Sequence, residues 1–345
     1  MKPLRVAFIG TGRRKQEGST TGYAMAYAHA EAYKKIAGAE LAACADIVKE
    51  NARAFAEING VKTVYTDYKA MLRKEKPDMV SICTWPALHA GMAIDCARAG
   101  VKAVHCEKPM AVTFGDAATM TKAAAKVGMR LTFNHQRRFG APYRSLLELK
   151  TAGRLGKLLR MESYCPNLYD WGTHWVDMLQ MFNDESPAEW VLAQADCTKG
   201  NVWFGAPQDN QSFVHVKYKN GVQAYIVGGA DSTDGCALRL TGELGTGEMR
   251  WNEPILRAWT KGDTFWKPIA VANELHGNES IDRAIADAVG ALRKGGTSQL
   301  CAEHALRGAE IIFGGYESSR RRARVTLPLT ITDNPIAERF KKKTS

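Results

Sequence analysis

Over the first 135 residues, short continuous apolar runs alternate with alanine-rich periodic stretches. Leu4–Ile9, Glu40–Ala45, Met79–Cys83, Val101–His105 and Arg130–Asn134 read as strands buried on both faces, with a weaker strand near Lys62–Tyr65. Between them, Tyr23–Ile36, Lys49–Ile58, Ala87–Ala99 and Asp116–Val127 read as helices. Short apolar strands spaced by helices predict a parallel sheet covered on both faces, with right-handed crossovers. This is the doubly wound Rossmann pattern, an α/β fold that binds dinucleotides.

After about residue 137 the texture changes. A helix over Pro142–Lys150 and a turn at Gly153–Gly156 lead into alternating strands. Lys219-Asn220-Gly221 between Ser212–Tyr218 and Val222–Val227 is a hairpin signal. Helices near Ile281–Leu292 and Ala302–Ser319 follow the strands. The expected solution is an α+β C-terminal domain with an open, mainly antiparallel sheet and helices on one face. A Rossmann domain over 1–136 and a substrate-binding, oligomerising domain over 137–345 are therefore predicted, as the 345-residue length also suggests.

Composition narrows the class. Hydrophobic residues make up 45% and charged residues 24%, ordinary for a globular chain. No apolar run reaches the roughly 18 to 20 residues of a membrane helix, and a strand beginning at Leu4 leaves no space for a cleaved leader. Eight scattered cysteines with no C-x-x-C pair suit a reducing cytoplasm, and no Cys/His set has the spacing of a zinc site. The net charge of +11 is partly local, in Arg320–Arg322 and Lys341–Lys343, and no recognition motif accompanies it, so nucleic acid is not an expected partner.

Candidate chemistry begins at the first strand's end. Gly10-Thr11-Gly12 follows directly, as a diphosphate-binding turn requires, because glycine permits positive φ and close approach of phosphates. The third glycine of the fingerprint is displaced, and Gly22 is the candidate for it. Asp46, 24 positions on, ends the second strand where a carboxylate binds both ribose hydroxyls and repels a 2′-phosphate. That favours NAD. Arg13 and Arg14 keep NADP as the lesser alternative, since a guanidinium pairs with that phosphate.

Two later segments carry reactive groups. His105-Cys106-Glu107-Lys108-Pro109 places a lysine at the end of an apolar strand. Its ammonium suits a developing alkoxide. Asp170-Trp171-Gly172-Thr173-His174-Trp175-Val176-Asp177 places carboxylate and imidazole four apart, on one face if a helix starts there. His174 is the candidate general base, Asp170 its support or a substrate ligand, and Asp177 a cap or pairing partner inside the helix, with a direct role as the lesser alternative.

With these residues in view, the sequence resembles the glucose–fructose oxidoreductase / inositol dehydrogenase / rhizopine-catabolism family, Gfo/Idh/MocA. The resemblance runs through Gly10-Thr11-Gly12, Ala45-Asp46, Cys83-Thr84 with His89, Ala99-Gly100-Val101 into Cys106-Glu107-Lys108-Pro109, and Phe133-Asn134. It continues through Asp170/His174/Asp177 and Ser318-Ser319 to Val325-Thr326-Leu327-Pro328. It implies NAD(P)-dependent oxidation or reduction at a carbinol carbon of a sugar, inositol or glycoside, and homodimers or homotetramers built through the C-terminal sheet. Thr84, Trp85, His89, Glu107 and Lys108 are the further candidates for the cofactor side. Lys108, His135, Arg137, Asn167, Tyr169, Asp170 and His174 fall to the substrate side, with Tyr164 close by in sequence. Two departures stand out: a glycine loop about six residues longer than the family's usual fingerprint, and Trp85-Pro86 where the family commonly has Pro-Asn. Trp85 is read either as packing or as an indole near cofactor or sugar. An NAD-retaining, redox-assisted glycosidase and a non-catalytic dinucleotide sensor are the alternatives on the same scaffold.

Overall fold

The structure is a computed structural model that describes residues 3–13, 24–233, 235–275 and 277–337. Arg14, Gly22 and Lys341–Lys343 lie outside the described residues. The chain divides into two compact units: one of Met1–Val112, Asp116–Gln136 and Asn278–Ala305, the other of Thr113–Gly115, Arg137–Gly277 and Leu306–Ser345.

The first unit is built from β1 (Leu4–Ile9), α1 (Ala26–Lys34), β2 (Ala39–Ala45), α2 (Lys49–Asn59), β3 (Thr63–Tyr65), α3 (Tyr68–Glu75), β4 (Met79–Ile82), α4 (Pro86–Arg98), β5 (Ala103–Cys106), α5 (Phe114–Lys126) and β6 (Arg130–Phe133). Its six parallel strands run in the order β3-β2-β1-β4-β5-β6. The order reverses between β1 and β4, and in such sheets ligands bind beyond the carboxyl ends of the strands at that switch. Continuous burial explains the unbroken apolar runs: Phe8 of β1 packs between Tyr33 of α1 and Phe55 of α2, at 5.9 and 5.0 Å between ring centroids. The periodicity did not predict α3. Among its residues Met71 and Leu72 are buried, too few to print a helical stripe on a charged segment. Its start is set instead by Asp67, which accepts from Lys69 N at 2.8 Å.

The second unit holds α6 (Ala141–Thr151), β7 (Leu158–Cys165), α7 (Gly172–Phe182), β8 (Ala188–Asp196), β9 (Val202–Trp203), β10 (Ala206–Pro207), β11 (Gln211–Tyr218), β12 (Gln223–Gly229), β13 (Cys236–Gly242), β14 (Gly245–Arg250), β15 (Leu256–Thr260) and β16 (Lys267–Ile269). The chain then forms α8 (Asn278–Lys294), α9 (Ala302–Arg321) and β17 (Val325–Thr326). Nine strands form one open sheet in the order β16-β15-β14-β13-β7-β12-β11-β8-β17; β7 and β12 pair in parallel, the other neighbours antiparallel. The register matches the expected hairpin, with Phe213 opposite Val227 and Lys217 opposite Gln223. Burial alternates along β11, and α9 lies on the covered face, its Gly315 letting the helix approach Ala193 and Val214. On the other face Phe213, Leu192 and Leu159 are exposed.

A boundary at 136/137 divides the chain in sequence, but in space α8 belongs to the first unit. Its Ile281, Ile285, Ala288 and Val289 complete the core around Phe8 and Phe55. An amphipathic helix with a strong apolar stripe goes where an uncovered core face needs it, and sequence order does not encode that destination. Part of the positive charge is neutralised locally: Arg320 pairs with Glu317 at 2.5 Å and with Asp333, and Arg321 also pairs with Glu317.

Candidate active site

In the first unit, the predicted cofactor residues that lie within the described chain gather at the carboxyl edge of the sheet. Gly10 and Gly12 both have positive φ, 82° and 54°. A Cβ on Gly10 would lie 2.5 Å from Thr84 Cγ2, and one on Gly12 would lie 2.5 Å from Ala24 Cβ. Glycine is therefore required at both positions by space as well as by backbone angle. Asp46 braces the turn: its Oδ2 accepts from Thr11 Oγ1 at 3.1 Å and Gly12 N at 2.8 Å, and its Oδ1 accepts from Val48 N at 2.9 Å. Arg13 is exposed. Trp85 directly precedes α4 and is 60% exposed, so its ring is not packed into the core of this chain.

Two expected cofactor contacts turn inward. His89 is buried, its Nδ1 and Nε2 each 3.0 Å from a carbonyl, of Pro109 and Thr84. It ties the β4–α4 turn to the segment after β5, and supports the edge rather than offering a ring atom to a ligand. Glu107 is also buried. Its Oε1 lies 3.0 Å from His29 Nε2 and 2.7 Å from Asn134 Nδ2, and its Oε2 accepts the Lys108 backbone N–H at 3.2 Å. Burial alone would raise this carboxyl. The His29 and Asn134 hydrogen bonds and the Lys108 charge overcome it and hold the group down at about 2. Lys108 itself is half-buried at the end of β5, and His135 is buried at the end of β6.

Beneath this edge lies a buried polar layer that periodicity did not reveal. His29 Nδ1 reaches Ser81 Oγ at 3.1 Å, and the His29 and His105 rings sit 5.0 Å apart. Burial, followed by the charge of His29, pushes the His105 imidazole down to about 3. Between pH 6.5 and about 3 the unfolded chain therefore takes up a proton that the folded chain refuses. Stability should fall as pH falls through that window, by about 1.4 kcal/mol per pH unit. Chemical denaturation at pH 7 and pH 5 should differ by about 2 kcal/mol through this residue. The variant His105→Gln should lose that part of the slope, and a slope that survives the substitution contradicts the assignment.

In the second unit every residue of α7 is buried, His174 among them. The helix starts at Gly172, so Asp170 sits in the turn before it rather than on its face. Asn167 explains the start: its Oδ1 accepts from Asp170 N at 2.8 Å and Trp171 N at 3.0 Å, and its carbonyl accepts from Gly172 N at 2.9 Å. The expected substrate role of Asn167 gives way to capping. That of Tyr169 gives way to packing, since its ring is buried 6.2 Å from Phe313 and burial pushes its phenol upward. Tyr164 OH lies 3.4 Å from Glu162. Arg137 is buried with its guanidinium 4.6 Å from the Trp175 ring centroid and 5.4 Å from that of Trp171.

Two positioning residues, Asp209 and Arg138, carry no local signal in the sequence. Asp209 accepts from Leu168 N at 3.0 Å and from Tyr316 OH at 2.6 Å, which fixes the turn carrying Asp170. Arg138 grips Asp177 with Nε to Oδ2 at 2.8 Å and Nη2 to Oδ1 at 2.7 Å, so Asp177 serves an ion pair. A carboxylate on an otherwise apolar helix stripe was the available signal for that pair. Among the described residues no cluster of three or more His, Cys, Asp or Glu is placed to hold a metal, and no helix is long and apolar enough to cross a membrane.

Known proteins resemble this chain in part of the sequence and in the fold. The chain is 35% identical over 156 residues to a D-glucoside 3-dehydrogenase of Escherichia coli, covering 45% of this chain and 41% of that one. It is 30% identical over 165 residues to a myo-inositol 2-dehydrogenase of Thermotoga maritima, covering 47% and 46%. The chain thus spans less than half the length of these curated relatives. The fold matches the crystal structure of the WlbA dehydrogenase from Bordetella pertussis in complex with NADH and UDP-GlcNAcA, with a TM-score of 0.78, 20% identity, and coverage of 95% of this chain and 100% of that one. Residues 4–135 match the oxidoreductase family with an NAD-binding Rossmann fold. The glycine turn braced by Asp46, the lysine after β5 and the 3-2-1-4-5-6 sheet all lie within that matched segment.

Proposed function

We propose that this protein is an NAD-dependent oxidoreductase that interconverts an alcohol and a carbonyl on a sugar, inositol or glycoside. The observation that carries the reading is the convergence of Gly10, Gly12, Asp46, Thr84 and Lys108 on one sheet edge. The positive-φ glycines form a cradle that any side chain would fill, which suits a diphosphate. Asp46 suits a ribose diol, and the exposed Trp85 stands at the same edge. The relatives named for glucoside and inositol oxidation support the substrate class.

The dinucleotide, when bound, supplies the hydride acceptor or donor. Lys108 donates to the reacting oxygen and stabilises negative charge as it develops there. His174 takes or returns the hydroxyl proton as general base or acid, and Asp170 orients it or binds a neighbouring hydroxyl. His135 and Arg137 are assigned to substrate contacts. Assembly through the exposed sheet face belongs to the same reading: Phe213 is 52% exposed and stacks on Tyr225 at 6.3 Å, an apolar patch suited to a second copy. Eight cysteines, none of them in a disulfide, suit a reducing, cytoplasmic setting.

The test is a panel of sugars, inositols and glycosides scored by NADH absorbance with NAD and with NADP. Net NADH formation with at least one polyol is expected. Tightly held dinucleotide with no net turnover, alongside glycoside cleavage, would assign the chain to redox-assisted elimination instead. The preference for NAD rests on Asp46. Asp46→Ser should move the ratio of NADP to NAD affinity, read by reduced-cofactor fluorescence, by tenfold or more, about 1.4 kcal/mol. An unmoved ratio would remove Asp46 from the ribose.

A further inference from the structure

We propose that His29 is a positioning residue for Lys108, acting through the Glu107 carboxylate. The proposal rests on the reading that Lys108 takes part in catalysis, and goes beyond it by assigning what holds that lysine in place.

One carboxylate collects three parts of the first unit. Glu107 Oε1 meets His29 Nε2 from α1 at 3.0 Å and Asn134 Nδ2 from the end of β6 at 2.7 Å, while Oε2 receives the peptide N–H of Lys108 at 3.2 Å. His29 is fully buried and Asn134 is 1% exposed. The far side of the imidazole is fixed as well: Nδ1 lies 3.1 Å from Ser81 Oγ on β4 and 3.5 Å from Cys83 Sγ, and Ser81 Oγ donates to Tyr33 OH at 3.3 Å. His105 on β5 faces the same ring at 5.0 Å. The imidazole therefore has one orientation, and so does the carboxylate.

A buried carboxylate–imidazole contact is a poor way to gain stability, because removing both groups from water costs as much as their attraction returns, and an apolar pair of similar volume would serve the core equally well. What it provides is direction. A helix packed on a sheet through alanines can slide by fractions of an ångström. A helix hydrogen-bonded to a carboxylate that also holds the next residue's N–H cannot slide without moving that peptide. α1 carries His29, so this helix and the lysine that serves the reaction are joined through Glu107.

The test uses the full-length protein and two substitutions. His29→Leu keeps the volume approximately and removes the hydrogen bond; His29→Gln keeps a side-chain N–H that reaches Glu107. The expected result for His29→Leu is faster amide hydrogen exchange at Lys108, kcat per folded molecule lowered on the order of 10- to 100-fold, and KM for NAD changed much less. The expected result for His29→Gln is recovery of most of the exchange protection and of kcat. A purely space-filling His29 would lower denaturant stability in both variants and leave kcat per folded molecule and Lys108 exchange unchanged, which would overturn the proposal. Should His29→Leu not fold, Glu107→Gln, nearly identical in shape, is read the same way: faster Lys108 exchange supports the proposal and unchanged exchange overturns it. Exchange at Lys108 needs no substrate, so its outcome is separate from that of the proposed function, which fails if a Lys108→Ala enzyme turns over normally.

Discussion

Lys108→Ala should lower kcat about a thousandfold or more while leaving NAD affinity within a few-fold of the parent. Lys108 follows β5, one strand from the switch point between β1 and β4, and its peptide is pinned by Glu107. A cation there is worth most when the substrate oxygen carries charge, that is, in the transition state, so its loss falls on kcat rather than on cofactor binding. Removing one donor of this kind costs about 10²–10³-fold, and loss of a full positive charge beside the reacting oxygen puts Lys108 at the upper end of that range or beyond it. Lys108→Met, which keeps the apolar stem, should be as inactive as the alanine variant, because the stem contributes packing alone. Steady-state kinetics paired with cofactor fluorescence titration reads both quantities. Turnover near the parent rate in either variant would remove Lys108 from the chemistry.

The largest effect on stability is expected at Arg138. Its side chain is 2% exposed and makes two hydrogen bonds to the Asp177 carboxylate, with a third contact to Glu185 Oε1 at 2.5 Å. Arg138→Ala leaves Asp177 buried without its cation, a loss of about 3–5 kcal/mol in urea unfolding. The double variant Arg138→Met with Asp177→Leu removes both charges, and Glu185, 21% exposed at its side chain, retains access to water. It should therefore recover much of the loss. If the double variant is as unstable as Arg138→Ala, packing of the guanidinium and not its charge is what the site needs. Because α7 carries His174, the single variant should also lose activity at temperatures where the parent is stable.

What the sequence revealed and what it hid follow from the range of the interactions. The strands β1, β2, β4, β5 and β6 were legible because burial on both faces writes itself as a local apolar run, and their ends agree within two residues. The glycine turn and Asp46 were legible for the same reason, as short-range patterns with a fixed place after a strand. α3 was not, since its register is set by the Asp67 cap and two buried side chains. Asp170 was placed on a helix that in fact starts two residues later, because the carbonyl oxygen of Asn167's side chain fixes the cap. Glu107 and His89 were recognised as important but their partners were not. His29 is 78 positions from Glu107, and Arg138 is 39 from Asp177. Nothing in a single chain's periodicity announces such a pairing before the topology brings the strand ends together.

The central claim is that this protein moves hydride between a substrate carbinol carbon and a nicotinamide. The most direct measurement takes the best substrate from the panel with deuterium on the carbon to be oxidised and follows the cofactor by NMR. One deuterium is expected at nicotinamide C4 for each carbonyl product formed, with a slower rate than for the protiated substrate when that step limits turnover. Product formation with no deuterium on the nicotinamide would contradict it.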